Sequence, residues 1–199
     1  MTPQQRVMMR MIAKGASTKM ITTTTHCREK TVRDHIADWY GARPKPGKQA
    51  SAEGFYFRRQ VHGHASISAS ALCVVGLHRP DSITLESIEG AEMLCDSHDH
   101  YMSQTSAGGK EPLITLNRHY QLLVKHLRTG QHALKTCGDC GSPYLVRAMT
   151  PALHECPFCR TAPTDAKAIF GLESRSQRRR RINTSGSMSV HSVSAFMLG

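Results

Sequence analysis

The chain has 199 residues, with 26 Lys and Arg against 15 Asp and Glu and a formal net charge of +11. That length can hold a hydrophobic core without a staple, and the charge favours a polyanionic partner, nucleic acid or an acidic membrane face, without separating the two. The longest unbroken apolar run, Ala71–Val75, is far short of the roughly 20 residues of a spanning helix, and the opening MTPQQRVMMR carries no secretory apolar region. The expected location is therefore the cytoplasm, with no membrane contact, where the seven cysteines are thiols or metal ligands rather than disulfides.

Charge is distributed unevenly. Residues 1–60 carry 12 basic and 4 acidic side chains, whereas Asp81–Glu111 carries 7 acidic and 1 basic, so the fold is expected to have a basic side and an acidic one.

In chain order, Val7, Met8, Met11 and Ile12 repeat at helical spacing ahead of Gly15, which predicts an amphipathic helix over 4–14. Ser17–Ile21 and a threonine run follow. Over Cys27–Tyr40 the residues Val32, Ile36, Trp39 and Tyr40 share one helical face, giving helix, turn, helix. GARPKPG, Gly41–Gly47, breaks any regular element and reads as a boundary or a rigid linker. After Phe55, Tyr56 and Phe57, the small residues of His64–Val75 predict a close-packed helix; Leu85, Ile88 and Leu94 suggest another. The stripe Leu116, Tyr120, Leu123, Leu127, ended by Gly130, predicts a helix over 112–129. The arginines of Arg175–Arg181 and the serine-rich residues beyond them have little to bury and are expected to be disordered. The fold class is mainly α: an N-terminal helix-turn-helix-like region with its linker (1–47), a helical core (48–130), a four-cysteine zinc-ribbon-like module (131–166) and a basic tail (167–199).

The most specific signal is CGDC, framed by Cys137 and Cys140, followed after fifteen residues by CPFC, framed by Cys156 and Cys159. A CxxC knuckle turns tightly enough to aim two sulfurs at one point, and two knuckles complete the tetrahedron that zinc prefers. Four thiolates leave no open coordination position, so one structural Zn2+ is expected, not a catalytic one. Gly141 and the strand-like Tyr144–Val146 suit a hairpin. The competing readings are unrelated CxxC pairs, a thioredoxin-like redox pair, or His154 in place of one sulfur. Cys27, Cys73 and Cys95 read as buried thiols, or for Cys27 as a cap-position residue. Cys95, His98 and His100, and the pair His62 and His64, could form a second metal site or a catalytic group, but neither has a recognised nuclease or zinc-protease spacing.

Arg28, Lys30 and Arg33 stand at the start of the second helix of the helix-turn-helix-like region, where a recognition helix presents side chains to base edges; the plain alternative is a solvated helix face. Arg178, Arg179, Arg180 and Arg181 in the tail are candidates for phosphate contact without sequence specificity.

Together these residues resemble the FlhC family, the zinc-containing subunit of the bacterial flagellar master transcription activator. The resemblance runs from Val7 to Lys167 and is most specific in LNRHYQLLVKHLRTGQHALKTCGDCG, where a long helix ends in glycine shortly before the first CxxC. THCREKTVRDHI, the RPKPGK segment, the VHGHAS stretch and CPFC match the family's order of features. It implies a mainly helical subunit with Cys137, Cys140, Cys156 and Cys159 on zinc. The implied partners are a small FlhD-like helical subunit, promoter DNA and RNA polymerase, with flagellar genes as the targets and no enzymatic activity. The tail after Lys167 and the acidic Glu86–Tyr101 stretch depart from the family pattern and leave the controlled genes open, mobile-element genes included. The zinc module is expected to rest against the helix Pro112–Arg128, and the acidic middle to face solvent, a partner subunit or polymerase. The alternatives are an RNA- or ribosome-associated zinc ribbon and a nuclease using His98 and His100.

Overall fold

A computed structural model describes residues 1–41, 54–79, 84–107, 109 and 111–160. Helix α1, Pro3–Ala13, starts at a reciprocal cap: the Gln5 amide donates to Thr2 Oγ1 at 3.2 Å and the Thr2 amide donates to the Gln5 side chain at 2.9 Å. Pro3 fills the first turn, where no intrahelical donor is needed. Val7, Met8, Met11 and Ile12 are buried, as their spacing predicts. Helix α2, Thr18–Thr25, is capped by Ser17. Its buried hydroxyls, Thr24 and Thr25, donate back to the carbonyls of Met20 and Ile21 at 3.0 and 2.7 Å, which lets a polar run lie in the core. The turn between α1 and α2 is held by Asn117, which accepts from the Ser17 amide at 2.8 Å and donates to the Gly15 carbonyl at 2.9 Å.

Three residues, His26, Cys27 and Arg28, join α2 to α3, Glu29–Tyr40, so the expected helix, turn, helix is present. Val32 and Ile36 are buried, but Trp39 is 39% exposed, with its ring against His35, and so lies off the core face its spacing suggested. The linker beyond Gly41 lies outside the described residues.

Helix α4, His62–Val74, is the small-residue helix, beginning two residues before the expected His64. It lies between α5, Ile88–Ala107, and the hairpin described below. Gly90 permits the close approach that starts α5: a Cβ there would overlap the Thr84 carbonyl oxygen and stand 3.0 Å from Leu85 Cα. The acidic stretch only partly faces outward. Asp96 and Asp99 bind Arg10 at 2.6 and 2.5 Å, and Asp99 also binds Lys14, so these carboxylates tie α5 to α1.

The helix expected over 112–129 starts later. Pro112–Thr115 is irregular, Thr115 caps α6, Leu116–Gln121, and the helix then widens into a π-type turn, Leu122–Leu127. Strands β1, His132–Thr136, and β2, Pro143–Arg147, form an antiparallel hairpin with Leu134 opposite Leu145. A 3-10 turn, Pro151–Leu153, and the short α7, Pro157–Arg160, complete the module. Its chief neighbour is α4, not the helix Pro112–Arg128 expected from sequence adjacency.

Candidate functional site

The two knuckles are built by backbone hydrogen bonds. The Cys137 amide donates to the Ser142 carbonyl at 3.0 Å, and the Gly141 amide returns to the Cys137 carbonyl at 2.9 Å. Gly141 takes φ +74°, a left-handed conformation that a side chain would strain. The second knuckle closes through the Arg160 amide on the Cys156 carbonyl at 3.1 Å.

These turns bring Cys137, Cys140, Cys156 and Cys159 together with all four sulfurs within 4.8 Å of one another. Cys137 to Cys159 and Cys140 to Cys156 are each 3.7 Å. A tetrahedron with metal–sulfur bonds of about 2.3 Å has edges of about 3.8 Å, so the donor set fits one ion of that geometry. The electrostatics agree with that fit. Burial opposes ionisation of Cys137, but the Cys140 and Asp139 amides and the neighbouring thiols outweigh it and hold the group down to about 7. Burial and the adjacent thiols push Cys156 up to about 11 and raise Cys159 as well. Cys137 thus ionises readily, whereas Cys156 and Cys159 resist ionisation unless a cation offsets the repulsion. Among the described residues it is the one group of three or more His, Cys, Asp and Glu donors placed to share an ion.

His154 does not join it: the ring stacks on Phe57 at 4.4 Å. His98 and His100 are not brought together either. His98 is buried and donates from Nε2 to the Ile114 carbonyl at 3.0 Å, whereas exposed His100 contacts Gln104. Cys95 is a fully buried thiol pushed up to about 11 by burial. His62 turns toward the hairpin and His64 toward Tyr101, at 3.1 Å. The histidines serve packing. His119, fully buried, lies 2.7 Å from both Ser68 and Ser97, and the Ser97 hydroxyl proton is directed to the Leu94 carbonyl at 2.9 Å. Ser97 therefore accepts from His119 Nε2 while Ser68 donates to Nδ1, which selects the neutral ring.

Arg28, at the N-cap of α3, and Lys30 and Arg33 on its first turns are exposed. Arg33 pairs with Glu29, and Asp34 and Asp38 are exposed on the same helix. Arg178, Arg179, Arg180 and Arg181 lie outside the described residues.

Sequence reasoning missed the packing cluster in which Phe57 stacks on His132 at 5.1 Å and carries the Arg147 guanidinium at 4.7 Å. Its members come from three separate segments, so no local spacing announces it.

The fold and site define a mainly helical protein with a four-cysteine knuckle pair able to hold one metal ion, and no described helix is long and apolar enough to cross a membrane. The chain belongs to the FlhC family, described as flagellar transcriptional activator, whose model matches residues 2–169. This is a family of transcription factors and not of enzymes. No curated protein matches the chain.

Proposed function

We propose that the chain is the zinc-bearing subunit of a cytoplasmic DNA-binding activator. It works with a small helical, FlhD-like partner at promoters, recruits RNA polymerase and controls flagellar genes. The observation that carries this reading is the closed four-sulfur cluster inside a chain that matches the FlhC family over 2–169. Zinc at Cys137, Cys140, Cys156 and Cys159 supplies rigidity, since four thiolates leave no position for substrate. Arg28, Lys30 and Arg33 are the base-reading candidates on α3, and Arg178, Arg179, Arg180 and Arg181 follow phosphates from the tail.

Co-expression with the neighbouring reading frame, metal analysis of the purified product and footprinting on promoter duplexes test the reading. Stoichiometric zinc, a co-purifying small subunit and one protected sequence that survives competitor DNA are expected. Binding that prefers RNA, or that shows no sequence preference over random duplex, would overturn it.

A further inference from the structure

Helix α3 cannot supply the electrostatic part of DNA affinity by itself. Arg28, Lys30 and Arg33 are matched by Glu29, Asp34 and Asp38, leaving this exposed element without net charge. Counterion release at phosphates requires uncompensated cations, and that term provides nearly all non-specific affinity. Another described surface presents the exposed cations Arg58, Arg59 and Lys125.

Several stretches of the chain lack acids altogether, residues 1–28 among them, and two others meet in the fold. Residues 54–79 contain three arginines and no Asp or Glu, and residues 112–136 contain two arginines, two lysines and no Asp or Glu. The fold puts these stretches side by side. The Tyr56 hydroxyl donates to the Arg118 carbonyl at 2.7 Å, its ring lies 5.4 Å from His126, and Arg128 Nε donates to the Leu77 carbonyl at 3.0 Å. At the junction Phe55 is half-buried, with the Arg118 guanidinium 4.3 Å and the Arg58 guanidinium 5.7 Å from its ring centroid. Arg58 and Arg59 are exposed in the turn leading into α4. Lys125 is exposed seven residues after Arg118, outside the buried row Leu116, His119, Leu122, Leu123 and His126. Glu86, whose charge reaches Tyr120, marks an edge of the face.

We propose that this face, centred on Phe55 with Arg58, Arg59 and Lys125, is a track for the phosphate backbone of duplex DNA, separate from α3. It rests on the DNA-binding reading above and adds the surface that holds the duplex without reading it. Phe55 holds the guanidinium plane of Arg58 through cation–π contact, so it meets phosphate with less ordering than an unstacked side chain would need. Among the described residues of stretches 54–79 and 112–136 the face carries positive charge and no acid, which suits a continuous polyanion better than a protein of mixed charge.

The test uses the full chain in zinc-containing buffer and a labelled random-sequence duplex, titrated between about 50 and 200 mM salt. R58Q/R59Q/K125Q is compared with R59Q/K125Q, which leaves Arg58 against Phe55, and thermal melts report folding of both. Each phosphate that is no longer neutralised lowers the salt slope by about 0.9, so the triple variant is expected to fall by roughly 2 to 3 and the double by roughly 2, with affinity at 150 mM salt down by at least about tenfold. The preference for promoter over random duplex is expected to survive in both. An unchanged slope and affinity in folded double and triple variants would overturn the track, as would loss of partner assembly with DNA binding intact. If the wild-type chain binds random and promoter duplexes equally while the variants weaken both, the phosphate track stands and the promoter-specific reading fails.

Discussion

His62, on α4, donates from Nε2 to the carbonyl of Leu145, on β2, at 2.7 Å. The Leu145 amide in turn donates to Ser66 Oγ, one helical turn further along α4, at 3.0 Å. Leu145 stands opposite Leu134 in the hairpin, and the flanking bonds, Cys137 amide to Ser142 carbonyl and Ala148 amide to Gln131 carbonyl, put this pair at a non-hydrogen-bonded position. Its backbone groups therefore point away from β1, and α4 side chains satisfy them. Ser66→Ala is expected to leave a buried amide without a partner and lower stability by about 1–3 kcal/mol, with metal content unchanged. A melt equal to wild type would show that the bond contributes nothing to docking.

Removing the metal is expected to act locally. Cys140→Ser leaves three sulfurs, and since structural zinc binding is on the order of 10–16 kcal/mol in isolated fingers, the knuckles should open while α1 to α3 keep their core. Metal analysis with limited proteolysis checks this: cleavage should appear within 131–160. Retained stoichiometric zinc and an unaltered melt would refute the metal assignment.

Stability should fall on acidification. Burial, first among the causes in each case, lowers the pKa of His62, His98 and His119, and holds His132 down to about 4. The folded groups stay neutral where the unfolded chain takes up protons, so stability is full above about 6.5 and declines as pH drops toward the folded values. Each group contributes a slope of at most about 1.4 kcal/mol per pH unit in that window. Thermal melts from pH 8 to 4 should show it, and His132→Gln should flatten the pH 6.5–4 part. A flat melting temperature over that range would contradict the neutral-histidine account.

Gly90→Ala offers a test far from metal and DNA. Its Cβ would overlap the Thr84 carbonyl oxygen, a backbone atom that cannot swing aside. A loss of about 1–3 kcal/mol is expected from such overpacking, read in denaturant unfolding, with zinc content preserved. Wild-type stability would mean that the 84–90 turn is looser than its geometry.

Much of this protein was legible locally. The CxxC spacing placed four sulfurs at one point because a knuckle is a turn of a few residues, and Val7, Met8, Met11 and Ile12 declared α1 because a helix presents such positions on one face. Gly15 bounded that helix at its C-terminal end through short-range turn geometry, whereas the Thr2 cap emerged only in the structure.

Other features depended on which segments meet. The basic residues of α3 were visible in sequence, and so were its acids, but their common exposure is a property of the packed helix. Asp96 and Asp99 looked like part of an open acidic surface, and only the approach of α1 turned them to Arg10 and Lys14. Adjacency in the chain suggested that the zinc module rests on the helix before it; α4 takes that place because its small residues allow close approach and its His62 and Ser66 complete the outer edge of β2. Spacing along the chain determined what short-range geometry can enforce, the helices and the metal knuckles. The tertiary structure decided which polar groups are satisfied, and by whom, because a hydrogen bond across 79 residues of sequence, as between Ser66 and Leu145, leaves no periodic trace in either segment.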